Sequence, residues 1–309
     1  MSADLNNDLL LLTAASGKQI GALLPLLSRW KRLRLAVHSD SSVAKLSAQY
    51  PAAEVVQTDL YSSISLRSLM KDVNVVIHVG PPFHAHEADI GIMMVDAAAE
   101  SYKNGSGPLK HFIFSSVIGT QIDKMIHHAA KRRVELHLIE SELPYTILQP
   151  STFIDNIPIA HLLEEQVYNS PWDTGTKFSL TTLRDHADAM YRVLLEREEH
   201  FYAQYPVIST HDPTSFSDVL SAIETELGKK ITIKPLEENK AVDLLLGRAS
   251  GSDAYAKDAV RRMARYYDKK GLVGNSNILE MVIRRKPMQV AEWAQWAIEQ
   301  AGGANKEHK

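Results

Sequence analysis

His127 and Lys131 stand four residues apart in IHHAAKRR, one turn of a helix, so their side chains share a face. An imidazole there, titrating near neutrality, can hand a proton to a reacting group beside a positive charge. Ser115 and Ser116 end the apolar run KHFIFS, where a hydroxyl at the tip of a strand can polarise a carbonyl. His84-Ala85-His86-Glu87 alternates histidines next to an acid, a pattern that can ligate a metal. Pro81-Pro82 in front and a helix-like stretch behind favour a substrate-lining or helix-start role instead, and no metal is expected. Each group also has a plainer account. Ile122, Met125, Ile126, Ala129 and Leu136 form an apolar stripe with His127 and Lys131 nearly opposite it, as on a solvated helix face. Ser115 and Ser116 can equally satisfy loop backbone.

These residues need a scaffold, and its opening is Leu9 to Gly21, LLLLTAASGKQIG. Four consecutive leucines read as a strand buried on both faces, as in a parallel sheet. Small residues follow, and from Ile20 apolar residues recur at helical spacing. Strand, tight turn and helix open a dinucleotide-binding unit, whose backbone N–H groups face a pyrophosphate. The glycine fingerprint is degraded, because its three glycine positions fall on Ala14, Gly17 and Ile20. Thr13, Ala14, Ser16, Gly17, Lys18, Gln19 and Ile20 are the expected phosphate-side contacts.

Further strands are expected at 33–37, 54–58, 74–79, 110–115 and 143–149, alternating with helical segments that include a long helix over 121–142. That alternation predicts an α/β fold with a Rossmann-type doubly wound parallel sheet. All strand ends then meet at one edge, where ligands bind. His38, Ser39, Asp59, Leu60, Val79, Gly80, Pro81, Pro150, Thr152 and Phe153 lie at those ends and are expected to contact a cofactor. Pro82, Phe83, His84, His86, Asn156, His161 and Trp172 are the expected substrate side, with Trp172 in a turn-rich loop that can act as a lid.

Beyond Pro150 the alternation stops. Helices are expected at 157–168, 183–196, 215–227, 253–269 and 290–301, with short strands at 178–181, 205–209 and 230–234. The chain therefore reads as a dinucleotide-binding domain over 1–153 and a smaller, mostly helical substrate-side region over 154–309. Segments such as 205–209 return to the sheet, and the tail GGANKEHK is expected to be disordered.

The 309 residues can bury a substantial core, and a net charge of −3 offers no footprint for nucleic acid or an anionic membrane. No apolar run approaches the roughly 18 residues that span a bilayer. The polar, acid-bearing start MSADLNND is unlike a signal or transit peptide. The chain has no cysteine, which excludes disulfides and thiolate nucleophiles and suits a reducing compartment. A cytoplasmic protein is expected.

TAASGKQIG, ESELPYTILQPSTFIDN, GTKFSLTTLRDHADAM and YYDKKGLVGNSNILEMVIRRKPMQVAEW occur in that order. Together they resemble the NmrA-like family of the atypical short-chain dehydrogenase/reductase superfamily, over about Leu9 to Ile298. The resemblance implies a Rossmann domain, a smaller substrate-side domain and usually NADP(H). It implies that Lys131, thirteen residues before the proline of LPYT, holds the cofactor ribose. The family superfold's catalytic tyrosine position falls on His127. Its usual 2′-phosphate arginine position falls on Ser39, beside His38, and leaves Lys18 as the best nearby cation. The second strand ends without Asp or Glu, which leans away from NAD(H). NADP(H) is the expected cofactor, with weakened binding.

The expected function is an NADP(H)-dependent oxidoreductase that reduces a small or medium carbonyl or conjugated substrate. Lys131 would hold the ribose, and His127, Ser115 or Ser116 would handle the proton. One alternative is a non-catalytic nucleotide sensor that regulates a partner protein, favoured by the missing tyrosine. Another is a redox-neutral isomerase or dehydratase on the same fold, with His84, His86 or His127 as acid and base.

Overall fold

A computed structural model describes residues 3–103, 109–247 and 252–304. The first half runs β1 (Leu9–Leu12), α1 (Lys18–Leu23), β2 (Arg32–Val37), α2 (Asp40–Gln49), β3 (Glu54–Gln57), α3 (Ser63–Leu69) and β4 (Val75–Val79). It continues with α4 (Glu87–Lys103), β5 (His111–Ser115), α5 (Ile126–Glu140) and β6 (Tyr145–Pro150). The second half runs β7 (Thr152–Phe153), α6 (Ile159–Glu165), β8 (Val167–Ser170), β9 (Lys177–Phe178), β10 (Leu180–Thr181), α7 (Leu183–Glu196) and β11 (Ala203–Val207). It ends with β12 (Thr214–Ser215), α8 (Phe216–Leu227), β13 (Thr232–Pro235), α9 (Glu238–Leu246), α10 (Ala254–Lys270), α11 (Asn277–Ile283) and α12 (Val290–Ala304).

Seven strands form one sheet in the order β3-β2-β1-β4-β5-β6-β11, every neighbouring pair parallel. The order reverses between β1 and β4, and a crevice opens where their C-terminal ends part. The leucine run is explained by the two faces of the sheet. Leu10 and Leu12 pack under α1, α7 and α11, while Leu9 and Leu11 pack under α3, α4 and α5. Each face needs apolar side chains, so β1 shows no alternation.

Beyond β6 the chain leaves the sheet and returns. A third core joins α6, α8, α10 and α12 through Trp172, Phe178, Phe216 and Tyr267, whose rings meet edge to face at 5.2–5.4 Å in four pairs. Helices α7 and α11 and strand β11 pack on the sheet side instead.

Several expected elements change. The helix expected over 121–142 begins at Ile126, because Gly119 (φ +66°) and the turn after it precede Met125, the N-cap. Its buried face is also different. His127, His128, Ala130, Val134, Glu135 and Leu138 point inward, whereas Leu136 is 54 % exposed. The helix expected over 157–168 stops at Glu165, where Gln166 takes a left-handed conformation (φ +52°), and β8 follows. Strand β13 pairs with that β8. Helix α12 extends through Ala304, into the tail expected to be disordered. Residues 305–309 of that tail lie outside the described residues. Among the described residues, no helix is long and apolar enough to cross a membrane.

Candidate nucleotide and substrate cleft

A cavity of about 880 Å³ lies along the carboxyl edge of the sheet, between the β1–α1 turn and the aromatic core of the second half. Its floor at the turn is Ala14, Ser16, Gly17, Lys18 and Gln19. Ala14 stands where the fingerprint wants its first glycine, and it takes the left-handed conformation (φ +49°) that glycine would adopt without strain. Its carbonyl accepts the Gly17 N–H at 2.8 Å, and a Cβ at Gly17 would lie 3.1 Å from that oxygen. The turn thus keeps its shape with one glycine.

From the turn the cavity runs past His38 and Leu60 on one side and Val79, Gly80 and Pro81 on the other. Pro82, Phe83, His84, Ser116, His127, Lys131, Pro150, Thr152, Phe153 and Asn156 line its middle. Tyr168, Trp172, Phe216, Met263 and Tyr267 close the far end. Lys18, His38, His84, His127 and Lys131 line it, and no Asp or Glu does among the described residues.

Other expected contacts face elsewhere. Thr13 is fully buried, accepting the Val79 N–H at 2.9 Å and lying 3.0 Å from His78 Nδ1, so it ties β1 to β4. The Ile20 side chain is in the core beneath the sheet. Ser39 caps α2, its hydroxyl accepting the Ser42 N–H at 3.3 Å. Asp59 is exposed and accepts the Tyr61 N–H. His86 is exposed and stacks on Tyr61 with ring centres 4.4 Å apart. His161 is exposed on α6. Ser115 lies beneath the cavity wall, bonded to Gln19. None of these lines the cavity. Trp172 does line it, but as a core residue 7 % exposed rather than as a surface lid.

At the centre, Lys131 Nζ lies 2.7 Å from Glu87 Oε1, a carboxylate 3 % exposed. The other Glu87 oxygen accepts the Phe83 N–H at 3.2 Å. Phe83 is itself in the left-handed region (φ +61°), with its ring tilted against His127 at 4.7 Å. One buried carboxylate therefore holds the lysine of α5 and the strained loop after β4. Glu87 was read only as part of a histidine–acid run. Its sequence signal was its place in the first turn of α4, one step after His86.

The histidine expected to titrate near neutrality does not. Burial first, then the nearby His128 and Lys131, push the His127 pKa well below its ordinary value. His127 is a neutral imidazole at pH 7, buried because α5 turns this face toward the cavity. His128 is lowered to about 4, mainly by burial, and donates from Nδ1 to the Gly119 carbonyl at 3.0 Å. The Ser116 hydroxyl is buried with no partner among the described residues. No group of three or more His, Asp or Glu among the described residues is arranged to hold a metal ion.

A parallel sheet that reverses at β1/β4, with a cleft over the reversal, defines a Rossmann-type fold. The family model described as the NmrA-like family matches residues 6–299, and the chain belongs to that family. No curated protein is similar in sequence at a significant level. Solved structures with the same fold include the NADPH-dependent quinone oxidoreductase of Escherichia coli complexed with NADPH. It is 19 % identical with a TM-score of 0.71, over 94 % of this chain and 99 % of that one. The triphenylmethane reductase of Citrobacter sp. complexed with NADP(H) is 17 % identical with a TM-score of 0.75, over 95 % and 99 %. The negative transcriptional regulator NmrA in complex with NAD is 15 % identical with a TM-score of 0.73, over 97 % and 98 %.

Proposed function

We propose that the protein is an NADP(H)-dependent oxidoreductase that reduces a small or medium carbonyl or conjugated substrate. The observation that carries this is one continuous cavity with two characters. Its turn-side part is lined by Lys18 and His38 and by no carboxylate, which suits a polyanionic dinucleotide, and its far end is aromatic, which suits a flat, uncharged substrate. Two reductases of the same fold were solved with NADPH or NADP(H), which favours the phosphorylated cofactor.

The turn residues, His38 and Lys131 are the groups that would hold the dinucleotide. When bound, its nicotinamide supplies the hydride. Lys131, paired with Glu87 at 2.7 Å, stands at the cavity wall, where its N–H groups can hold ribose hydroxyls and donate to a substrate oxygen. The Ser116 hydroxyl is the second proton-bearing group on that wall. His127, neutral and packed under Phe83, contributes shape and not acid.

A second reading is a nucleotide sensor that acts on a partner protein without turnover. The neutral imidazole in the tyrosine's position favours it. NADPH and NADH titrated into nucleotide-free protein, followed by a panel of quinones and conjugated carbonyls, test both. Micromolar NADPH binding with turnover supports the reductase, and binding without turnover on any member of the panel supports the sensor. No binding of either nucleotide up to millimolar overturns both and leaves redox-neutral chemistry.

A further inference from the structure

We infer that the Gln19 side chain is a ligand-binding donor aimed by His186 and Ser115, and that it takes an oxygen of an anionic phosphate group. The ligand half of this inference rests on the nucleotide reading above. The orientation half rests on hydrogen-bond geometry alone.

His186 is fully buried in α7 and does not line the cavity. Burial lowers its pKa to about 3, so the ring is neutral and carries one proton. Its Nδ1 has no partner among the described residues, and a proton there would be a buried donor with nothing to accept it. The proton therefore belongs on Nε2, which lies 3.0 Å from Gln19 Oε1. The Ser115 hydroxyl donates to the same oxygen at 2.7 Å, and its own oxygen is 3.2 Å from His186 Nε2.

Two donors converge on one amide oxygen. Turning the amide over would set its NH2 against the Nε2–H, donor against donor. Gln19 is thereby locked with its carbonyl toward Ser115 and His186, and its NH2 is the end of the amide left for a ligand in the cavity that Gln19 lines. Phe153 packs against the His186 ring at 5.5 Å and holds it from the cavity side. Beside Gln19, the Lys18 ammonium reaches across to the Asp155 carbonyl and Asn156 Oδ1, each at 3.2 Å. A donor pair next to an ammonium, in a cavity without carboxylates, recognises an anion. In this account Ser115 and His186 are positioning residues, which act through Gln19 and touch no ligand.

The test titrates NADPH, ADP-ribose and adenosine into nucleotide-free full-length protein by calorimetry. Gln19→Leu is expected to weaken NADPH and ADP-ribose about tenfold, the loss of one charge-assisted hydrogen bond, and to leave adenosine unchanged. His186→Phe keeps the ring volume, and is expected to weaken the same two ligands by about three- to tenfold. The double variant should bind no more weakly than Gln19→Leu alone, because His186 acts only through Gln19. Additive losses, or a His186→Phe protein at wild-type affinity, overturn the positioning role. A loss that extends to adenosine overturns the phosphate assignment.

A second measurement needs neither nucleotide nor variant. Long-range ¹H–¹⁵N spectra of ¹⁵N-histidine-labelled, ligand-free protein read the His186 tautomer. A proton on Nε2 supports the orientation, and a proton on Nδ1 overturns it even if nucleotides bind. A wild-type protein that binds none of the probes overturns the function proposed above and the ligand half here, and the tautomer then decides the orientation half.

Discussion

Gly91 of α4 and Val134 of α5 pack so closely that a Cβ at position 91 would lie 2.4 Å from Val134 Cγ2. One turn before each of them stand Glu87 and Lys131, paired at 2.7 Å. The missing side chain lets two helices approach until a short ion pair closes at the cavity wall. This contact makes the site sensitive to a residue that does not touch it.

Gly91→Ala is expected to destabilise the protein by about 1–3 kcal/mol, through overpacking against Val134, despite alanine's better helix propensity. It should also weaken NADPH binding, because α5 and Lys131 shift. Urea denaturation and a nucleotide titration check both, and unchanged stability would show that α4 and α5 have slack.

Lys131→Met leaves the Glu87 carboxylate buried without its cation, and is expected to cost about 3 kcal/mol. The double change Glu87→Gln with Lys131→Met leaves no buried charge and should recover most of that loss. Urea midpoints of the single and double variants read the coupling. Equal instability in both would mean that the pair contributes nothing beyond packing.

The buried histidines set an acid limit. Burial lowers His78, His111 and His186 to about 3 and His128 to about 4, against an ordinary value of 6.5. Between those values the unfolded chain binds protons that the fold refuses. The stability is therefore full above about pH 6.5 and falls as the pH drops toward 4. At pH 5.5 each contributes a loss of about 1.4 kcal/mol. A urea midpoint that stays constant from pH 7.5 to 5.5 would contradict this.

Trp172→Ala separates a core residue from a lid. Trp172 packs edge to face on Phe216 and Tyr267 at 5.4 Å, and its truncation is expected to cost about 3–5 kcal/mol. A surface lid would lose less than about 0.5 kcal/mol. Thermal or urea unfolding decides, and His161→Ala, on an exposed helix surface, serves as the silent control.

Much of the fold is legible in local pattern. Four leucines without alternation can only satisfy a sheet covered on both faces, and strand–helix alternation through Gln149 dictates parallel order. The turn residues Ala14 and Ser16 to Gln19 and the stretch Val79 to Phe83 fall on the cleft because strand ends in such a sheet share one edge. The face of α5 is the instructive failure. Ile126, Ala129 and Leu136 suggested one stripe, yet His127, His128 and Glu135 are the buried side chains. Polar residues can be buried when the neighbouring surface supplies partners, and periodicity does not register partners. His128 has the Gly119 carbonyl, and Glu135 has Thr120 and Gln149.

The amino-acid sequence by itself determined the Rossmann sheet, the place of the cleft and the family, because these follow from short-range spacing and ordered motifs. Tertiary structure alone decided which groups in the cleft carry charge and which way they point. Glu87 meets Lys131, and Gln19 meets His186, only because distant elements pack together. Burial then keeps His127 neutral, which no spacing along the chain can encode.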